Sequence, residues 1–286
     1  MFISIGENMI VGFIGFGEVS SVLSNILSKN GIRTVTVVKG RSNKTQELAV
    51  KSDVQILDSY ETLIKGSDIV ISANSPANAL KVAEKYADLM EDNIYIDLNN
   101  ISPDTTIKIA DLFEKDHPVI EEESKHSIFS NTDEPDLRNP FVDGAIIGKV
   151  SSEPSLILFS GSKAEDLAIL NNYGLNVIIV SKIPGDVSTL KTLRSLYTKG
   201  VSAVLMETFE VAKSLDLESQ LFEILSMTEG EDFELKARSR INNSYKNYRR
   251  KAEEMDEILN FLINVFPNKN FIMTKASSQK FHLVKK

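Results

Sequence analysis

Cysteine is absent from the 286-residue chain, and histidine occurs only three times, at His117, His126 and His282. The first absence excludes disulfides, thiolate zinc sites, iron–sulfur clusters and a cysteine nucleophile. No histidine pairs with another at helical or zinc-finger spacing, so all three read as surface or loop residues and no metal is expected. An excess of basic charge is missing too. The formal net charge is −8, whereas a general nucleic-acid binder needs a basic face to neutralise phosphates. No apolar run reaches the roughly 20 residues that span a bilayer. The N-terminal stretch has neither a positive n-region nor a small-residue cleavage site. These absences lead us to expect a cytoplasmic protein with no nucleic-acid or membrane partner.

What is present reads as a globular chain of two domains. Its first half alternates short apolar runs with amphipathic stretches. Met9–Ile14 reads as a buried strand of the parallel type, and Val19–Leu27 carries apolar residues at helical spacing. Further strands are expected at Arg33–Val38, Val54–Leu57, Asp68–Ala73 and Asn93–Leu98, rich in β-branched residues. Helices are expected at Asn43–Lys51, Pro76–Met90 and Ser102–Lys115, the last with an N-cap serine and a proline at its first position. This β-α-β-α order predicts a parallel sheet with right-handed crossovers. Residues 116–139 are acidic, polar and contain two prolines, which reads as a long loop. Phe141–Ile147, Ser155–Ser160, a helix near Ala164–Asn172 and the strand Asn176–Val180 follow. Gly185 closes this half, and beyond it Val187–Ser214 reads as one long helix followed by three or so more. The expected fold class is an α/β Rossmann domain over residues 1–184, then a mostly α-helical domain over residues 185–286.

The chemistry-bearing signal is Gly15-Phe16-Gly17-Glu18-Val19-Ser20, a G-x-G-x-x-S pattern that leaves a strand and opens a helix. Gly15 permits the tight turn, Gly17 lets the backbone approach a pyrophosphate, and Ser20 is small enough for the helix to pack on the strand. The helix N-terminus then offers unpaired N–H groups and the positive end of its dipole. Binders of NAD place a carboxylate at the end of the second strand for the ribose 2′-hydroxyl. Here no acidic residue lies between Val19 and Gln46, and the segment reads Lys39-Gly40-Arg41-Ser42-Asn43-Lys44. Arg41 can bond a 2′-phosphate bidentately, with Ser42 and Lys44 beside it. The expected cofactor is therefore NADP in preference to NAD. Ligands in such sheets bind beyond the carboxyl ends of the strands. That directs attention to Asn74-Ser75 after the fourth strand and Asn99-Asn100 after the fifth, although these residue types equally serve plain turns.

At this point the chain resembles the β-hydroxyacid dehydrogenases, which include 3-hydroxyisobutyrate dehydrogenase and relatives of 6-phosphogluconate dehydrogenase. GFIGFGEVS is similar to their nucleotide-binding start, YIDLNNISP to their substrate-side stretch, FVDGAIIGK to a second substrate stretch, and GDVSTLKTLRS to the start of their inter-domain helix. The second half resembles more closely a branch in which the Rossmann domain joins a helical domain of unknown function. The resemblance implies hydride transfer between a nicotinamide and a hydroxyl-bearing carbon of a small-molecule substrate, in a homodimer. It implies Lys191 as general acid/base, a role that enclosure would favour by lowering its affinity for a proton. It also implies Asn99, Asn100 and Gly148 as substrate anchors. The sequence departs from the family pattern at Ile147, Lys149 and Ser195. Arg194, one helical step from Lys191, or Lys149 then stands in as an anion clamp, and Ser195 occupies a position where the family has asparagine. These departures leave open an imine or other carbonyl reductase, and also a non-catalytic NADP-binding sensor or assembly protein.

Overall fold

The computed structural model describes residues 9–114, 139–148 and 155–284. The N-terminal residues 1–8, almost all of the loop expected over 116–139, and the sequence-stretch residues His117, His126 and Lys149 lie outside the described residues. By its internal contacts the chain divides into two units, Met1–Lys191 and Thr192–Lys286.

The first unit is built on one eight-stranded sheet. Its strands are β1 (Ile10–Ile14), β2 (Arg33–Thr36), β3 (Gln55–Ile56), β4 (Ile69–Ser72), β5 (Ile94–Asp97), β6 (Phe141–Ile147), β7 (Leu156–Ser160) and β8 (Asn176–Ser181). Their spatial order is β3-β2-β1-β4-β5-β6-β7-β8. The chain order reverses between β1 and β4, which makes the crevice at their carboxyl ends the place where such sheets bind ligands. Helices α1 (Glu18–Lys29), α2 (Asn43–Lys51), α3 (Tyr60–Lys65), α4 (Ala79–Tyr86) and α5 (Pro103–Asp111) connect the strands. Ser42, Ser59 and Ser102 each accept a hydrogen bond from the N–H three residues on and so start α2, α3 and α5.

The parallel order expected of the first strands holds from β3 through β5 and extends to β6, while β7, whose direction the sequence left open, runs antiparallel to β6. A parallel return needs a crossover of a dozen or more residues, and only residues 148–155 separate these two strands. The stretch expected as a single helix over Pro76–Met90 is three pieces: a 3-10 turn at Pro76–Asn78, α4, and a 3-10 turn at Ala87–Leu89. The helix near residues 164–172 is of the 3-10 type over Glu165–Tyr173.

Alternation along the strands sends side chains to two cores. Val11, Phe13, Ile69, Ile71, Ile96 and Val142 face α1, where Leu23 and Leu27 meet them. On the other face Val70, Tyr95 and Phe141 meet Leu63, Ala83, Ile109 and Phe113. Tyr95 lies 4.7 Å from Phe113 and 6.3 Å from Phe141, ring to ring.

Helix α6 (Asp186–Ser214) follows Gly185, and α7 (Glu218–Glu229), α8 (Phe233–Lys246), α9 (Tyr248–Val265) and α10 (Ile272–His282) complete the chain. Phe271 is the N-cap of α10. In the second unit Phe209 stacks on Phe222 at 4.0 Å, and Arg238 covers the same ring. His282 pairs with Asp256 at 2.8 Å across α10 and α9. Among the described residues no helix is long and apolar enough to cross a membrane.

Gly161, directly after β7, shows how tightly the sheet is closed. Its φ is +137°, and a Cβ there would stand 2.6 Å from the Phe141 carbonyl oxygen. Both the left-handed backbone and the contact with main chain penalise any side chain. Gly161→Ala is expected to destabilise the protein by about 2 kcal/mol or more, read from urea unfolding. An unchanged midpoint would contradict this packing.

Candidate active site

The glycine loop between β1 and α1 forms a tight, open-topped turn. Gly15 has φ +88°, and a Cβ on it would press on the Asn74 side chain and the Ala73 carbonyl oxygen. Ser20 is fully buried, and its hydroxyl donates to the Gly15 carbonyl at 2.7 Å. The third position of the pattern is thus more than small: it ties the turn to the helix. Phe16 is buried against Phe13, while Gly17 and Glu18 are exposed and Val19 is half-buried. Gly17 is the N-cap of α1, and no side chain caps that helix. A Cβ on Gly17 would meet nothing within 4 Å. The start of α1 thus carries no side-chain cap and has open space at Gly17, at the positive end of the helix dipole, which suits a phosphate.

The end of β2 lies next in the sheet. Arg41, Ser42 and Lys44 are exposed. The Arg41 N–H closes a turn on Val38 at 3.0 Å. Its guanidinium stands near enough to Tyr60 to offset part of the rise that burial imposes on that phenol's pKa. Ser42 caps α2, its hydroxyl shared with Thr45. No acidic residue occupies the first turn of α2. Among the described residues no carboxylate forms an ion pair with Arg41 or Lys44.

Beyond β4 and β5 the amides divide into braces and open positions. Asn74 donates to the Ile14 carbonyl at 2.9 Å and to Ser72 at 3.3 Å, which ties the β4 exit to β1. Asn99 is buried, and its amide is fully engaged: it donates to Asp97 at 2.6 Å and Ser72 at 2.9 Å, and accepts from the Asn74 N–H. It braces two strand ends and turns no polar group outward. Ser75 accepts from Asn78 at 2.9 Å and is exposed. Asn100 is exposed with φ +58°, and Gly148 ends β6 exposed, with open space around it.

The feature that sequence reasoning missed is a buried polar row. Ser72, Asp97, Asp143 and Ser160 are direct neighbours across β4, β5, β6 and β7. All four are essentially inaccessible to solvent. Two of them receive the start of α6. Asp143 accepts from the Ser188 N–H at 2.8 Å and from the Ser188 hydroxyl at 2.8 Å. Ser160 accepts from the Val187 N–H at 3.1 Å. Thr106 of α5 shares a hydrogen bond with the Ser188 hydroxyl at 3.0 Å. Thus the sheet, rather than a local residue, caps α6. Lys191 stands one turn further on, half-buried, on the face that Ser188 presents. The signal lay in the sequence: IYID and FVDGAII each carry an aspartate inside an otherwise apolar strand, and a buried carboxylate must find partners.

Burial pushes both carboxyl groups up, each to about 6. Hydrogen bonds from Asn99 to Asp97, and from Ser188 to Asp143, oppose the rise. Asp143 raises Asp97 further, Asp186 raises Asp143, and the Lys191 ammonium lowers both. Lys191 is therefore within electrostatic reach of the pair. Arg194 is exposed and Ser195 half-buried in the second unit. There the Ser195 hydroxyl accepts from Lys199, whose ammonium pairs with Glu254 at 2.7 Å.

A carboxyl whose folded pKa is raised binds protons more readily folded than unfolded. Stability from this pair is fullest below the ordinary aspartate range and is lost as pH rises through about 6. Asp143→Asn keeps an acceptor for the Ser188 N–H and offers a donor to its hydroxyl. Between pH 4 and 7 the wild type should lose up to about 3 kcal/mol more unfolding free energy than this variant. Parallel pH–stability curves from chemical denaturation would contradict the assignment.

Residues 10–101 match the family described as NADP oxidoreductase, coenzyme F420-dependent. A relative from Methanothermus fervidus, described as an uncharacterised 28.5 kDa protein in the 7S RNA 5′ region, is 42% identical over 96% of this chain and 98% of its own. A solved conserved protein of unknown function, described as structurally similar to 3-hydroxyacid dehydrogenases, is 38% identical with a TM-score of 0.79. That match covers 96% of each chain. The fold is shared with 3-hydroxyisobutyrate dehydrogenase of Mycobacterium tuberculosis, solved with L-serine, at 14% identity and a TM-score of 0.70 over 98% of this chain and all of that one. An imine reductase from Bacillus cereus shares it as well, with a TM-score of 0.60. The chain belongs to the family of the Methanothermus fervidus protein and the solved protein of unknown function, and it shares its fold with 3-hydroxyisobutyrate dehydrogenase.

Proposed function

We propose that the protein is an NADP-dependent oxidoreductase acting on a small hydroxyacid or carbonyl compound. The observation that carries this reading is the uncapped start of α1 beneath the open space at Gly17, at the sheet's switch point and beside a β2 end free of carboxylates. In this reading Gly15, Phe16, Gly17, Glu18 and Val19 form the pyrophosphate cradle. Arg41 holds the 2′-phosphate, with Ser42 and Lys44 adding a hydroxyl and a charge. Asn74 and Ser75 border the cofactor beyond β4.

When bound, a reduced nicotinamide supplies the hydride that a carbonyl carbon takes up. Lys191 exchanges the accompanying proton with the substrate oxygen. Asn100 and Gly148, both exposed at strand ends, orient the substrate, whereas Asn99 serves by bracing the loop that carries Asn100. Arg194, Ser195 and Lys149 remain assigned to an anionic group of the substrate.

The chain contains no tryptophan, so cofactor fluorescence can be read without interference from the protein. NADPH should bind at least ~10-fold more tightly than NADH, since a charge-assisted hydrogen bond contributes about 1.5–3 kcal/mol. Arg41→Ala should remove most of that preference. Gly17→Ala, which meets no neighbour, should weaken both cofactors while leaving the melting temperature unchanged. Equal affinity for the two cofactors would remove the NADP assignment, and no binding of either would remove the enzyme reading.

A further inference from the structure

Three facts about α6 converge on Lys191. Its first turn is docked on the sheet by Asp143 and Ser160, which take the Ser188 and Val187 N–H groups. Asp143 also holds the Ser188 hydroxyl, so both the height and the rotation of this turn are set from β6. The third fact is electrostatic. Lys191 acts on both Asp97 and Asp143, and a coupling between two charges is the same seen from either one. Whatever Lys191 does for those carboxylates, they do for its ammonium.

Resting on the assignment of Lys191 as the proton-transfer group, we propose that Asp143 is its positioning residue. Asp143 fixes where Lys191 stands and, together with Asp97, holds the proton on it, so that the resting site is a proton donor built for reduction. The two carboxylates thus oppose the loss of the proton that enclosure of Lys191 favours. In the reductive step the N–H bond at Lys191 breaks with its electron pair left on nitrogen. An O–H bond forms at the substrate oxygen, and water returns the proton to the amine afterwards.

The groups that bear on this assembly come from each neighbouring element. Asp97 and Tyr95 lie on β5, Asp143 on β6, and Asp186 and Lys191 on α6. Asp186 is itself engaged by the Ser181 hydroxyl at 2.6 Å. From α5 the contact is the uncharged Thr106. Removing the Asp143 charge leaves Asp97 as a second carboxylate within electrostatic reach of Lys191.

The test uses the protein without cofactor. Amines are labelled with acetic anhydride from pH 6 to pH 11, and the Lys191 peptide is followed by mass spectrometry, with exposed Lys29 as internal reference. Asp143→Asn should move the pH of half-labelling at Lys191 down by about one unit and leave Lys29 unchanged. Asp97→Asn is the second variant and should move it in the same direction. A downward shift in folded Asp143→Asn supports the proposal, and Asp97→Asn decides in its place only if Asp143→Asn does not fold. Half-labelling at the wild-type pH in the deciding variant would overturn it, because a merely structural role does not move an amine's proton affinity. NADPH oxidation with succinic semialdehyde or 1-pyrroline tests the underlying reading separately. Turnover that survives Lys191→Ala would remove Lys191 as the acid and leave the labelling result standing as a fact about the fold.

Discussion

The first N–H groups of a helix have no acceptor within it, and in α6 two of them find theirs on the sheet. Asp143 and Ser160, cross-strand neighbours on β6 and β7, accept from Ser188 and Val187. This joint fixes the start of a 29-residue helix against the carboxyl ends of the strands. It also determines where Lys191 stands. Weakening it would move Lys191 without disturbing the glycine loop several strands away.

Burying two carboxylates side by side is unfavourable. An unpartnered buried charge costs several kcal/mol, and like charges repel across adjacent strands. The structure offsets part of this with hydrogen bonds to both carboxylates. Asn99 serves Asp97 twice, and Ser188 serves Asp143 twice. The positive end of the α6 dipole adds about 0.3–2 kcal/mol in favour of an anion beneath it, and Lys191 adds a full positive charge. What remains is a pair whose pKa values stay raised, to about 6, a residual cost that packing alone does not require. A hydrophobic pair would fill the same volume. What Asp143 does in the fold is hold the start of α6.

Much of this was legible from residues. The alternation of strands and helices gave the Rossmann order, the glycine pattern gave the tight turn between β1 and α1, and Ser102-Pro103 marked the start of α5 where the structure has it. The direction of β7 went unread, although the short link from Ile147 to Leu156 leaves no room for a crossover. Three things were not legible. The short helix α3 has too few residues to show a period. The division of labour between Asn99 and Asn100 depends on which amide turns inward, and adjacent asparagines look alike in sequence. The buried polar row depends on register across four strands that are far apart in the chain. Its only local trace is an aspartate in each of two apolar runs.

The docking of α6 can be measured without cofactor or substrate, by amide hydrogen exchange at Val187 and Ser188. N–H groups in the first turn of a helix ordinarily exchange fast, since they face solvent. Held by Ser160 and Asp143, these two should exchange as slowly as amides of the central strands, and Asp143→Ala should release Ser188 first. Fast exchange of both in the wild type would mean that the sheet does not hold α6. The placement of Lys191 would then have lost its physical basis.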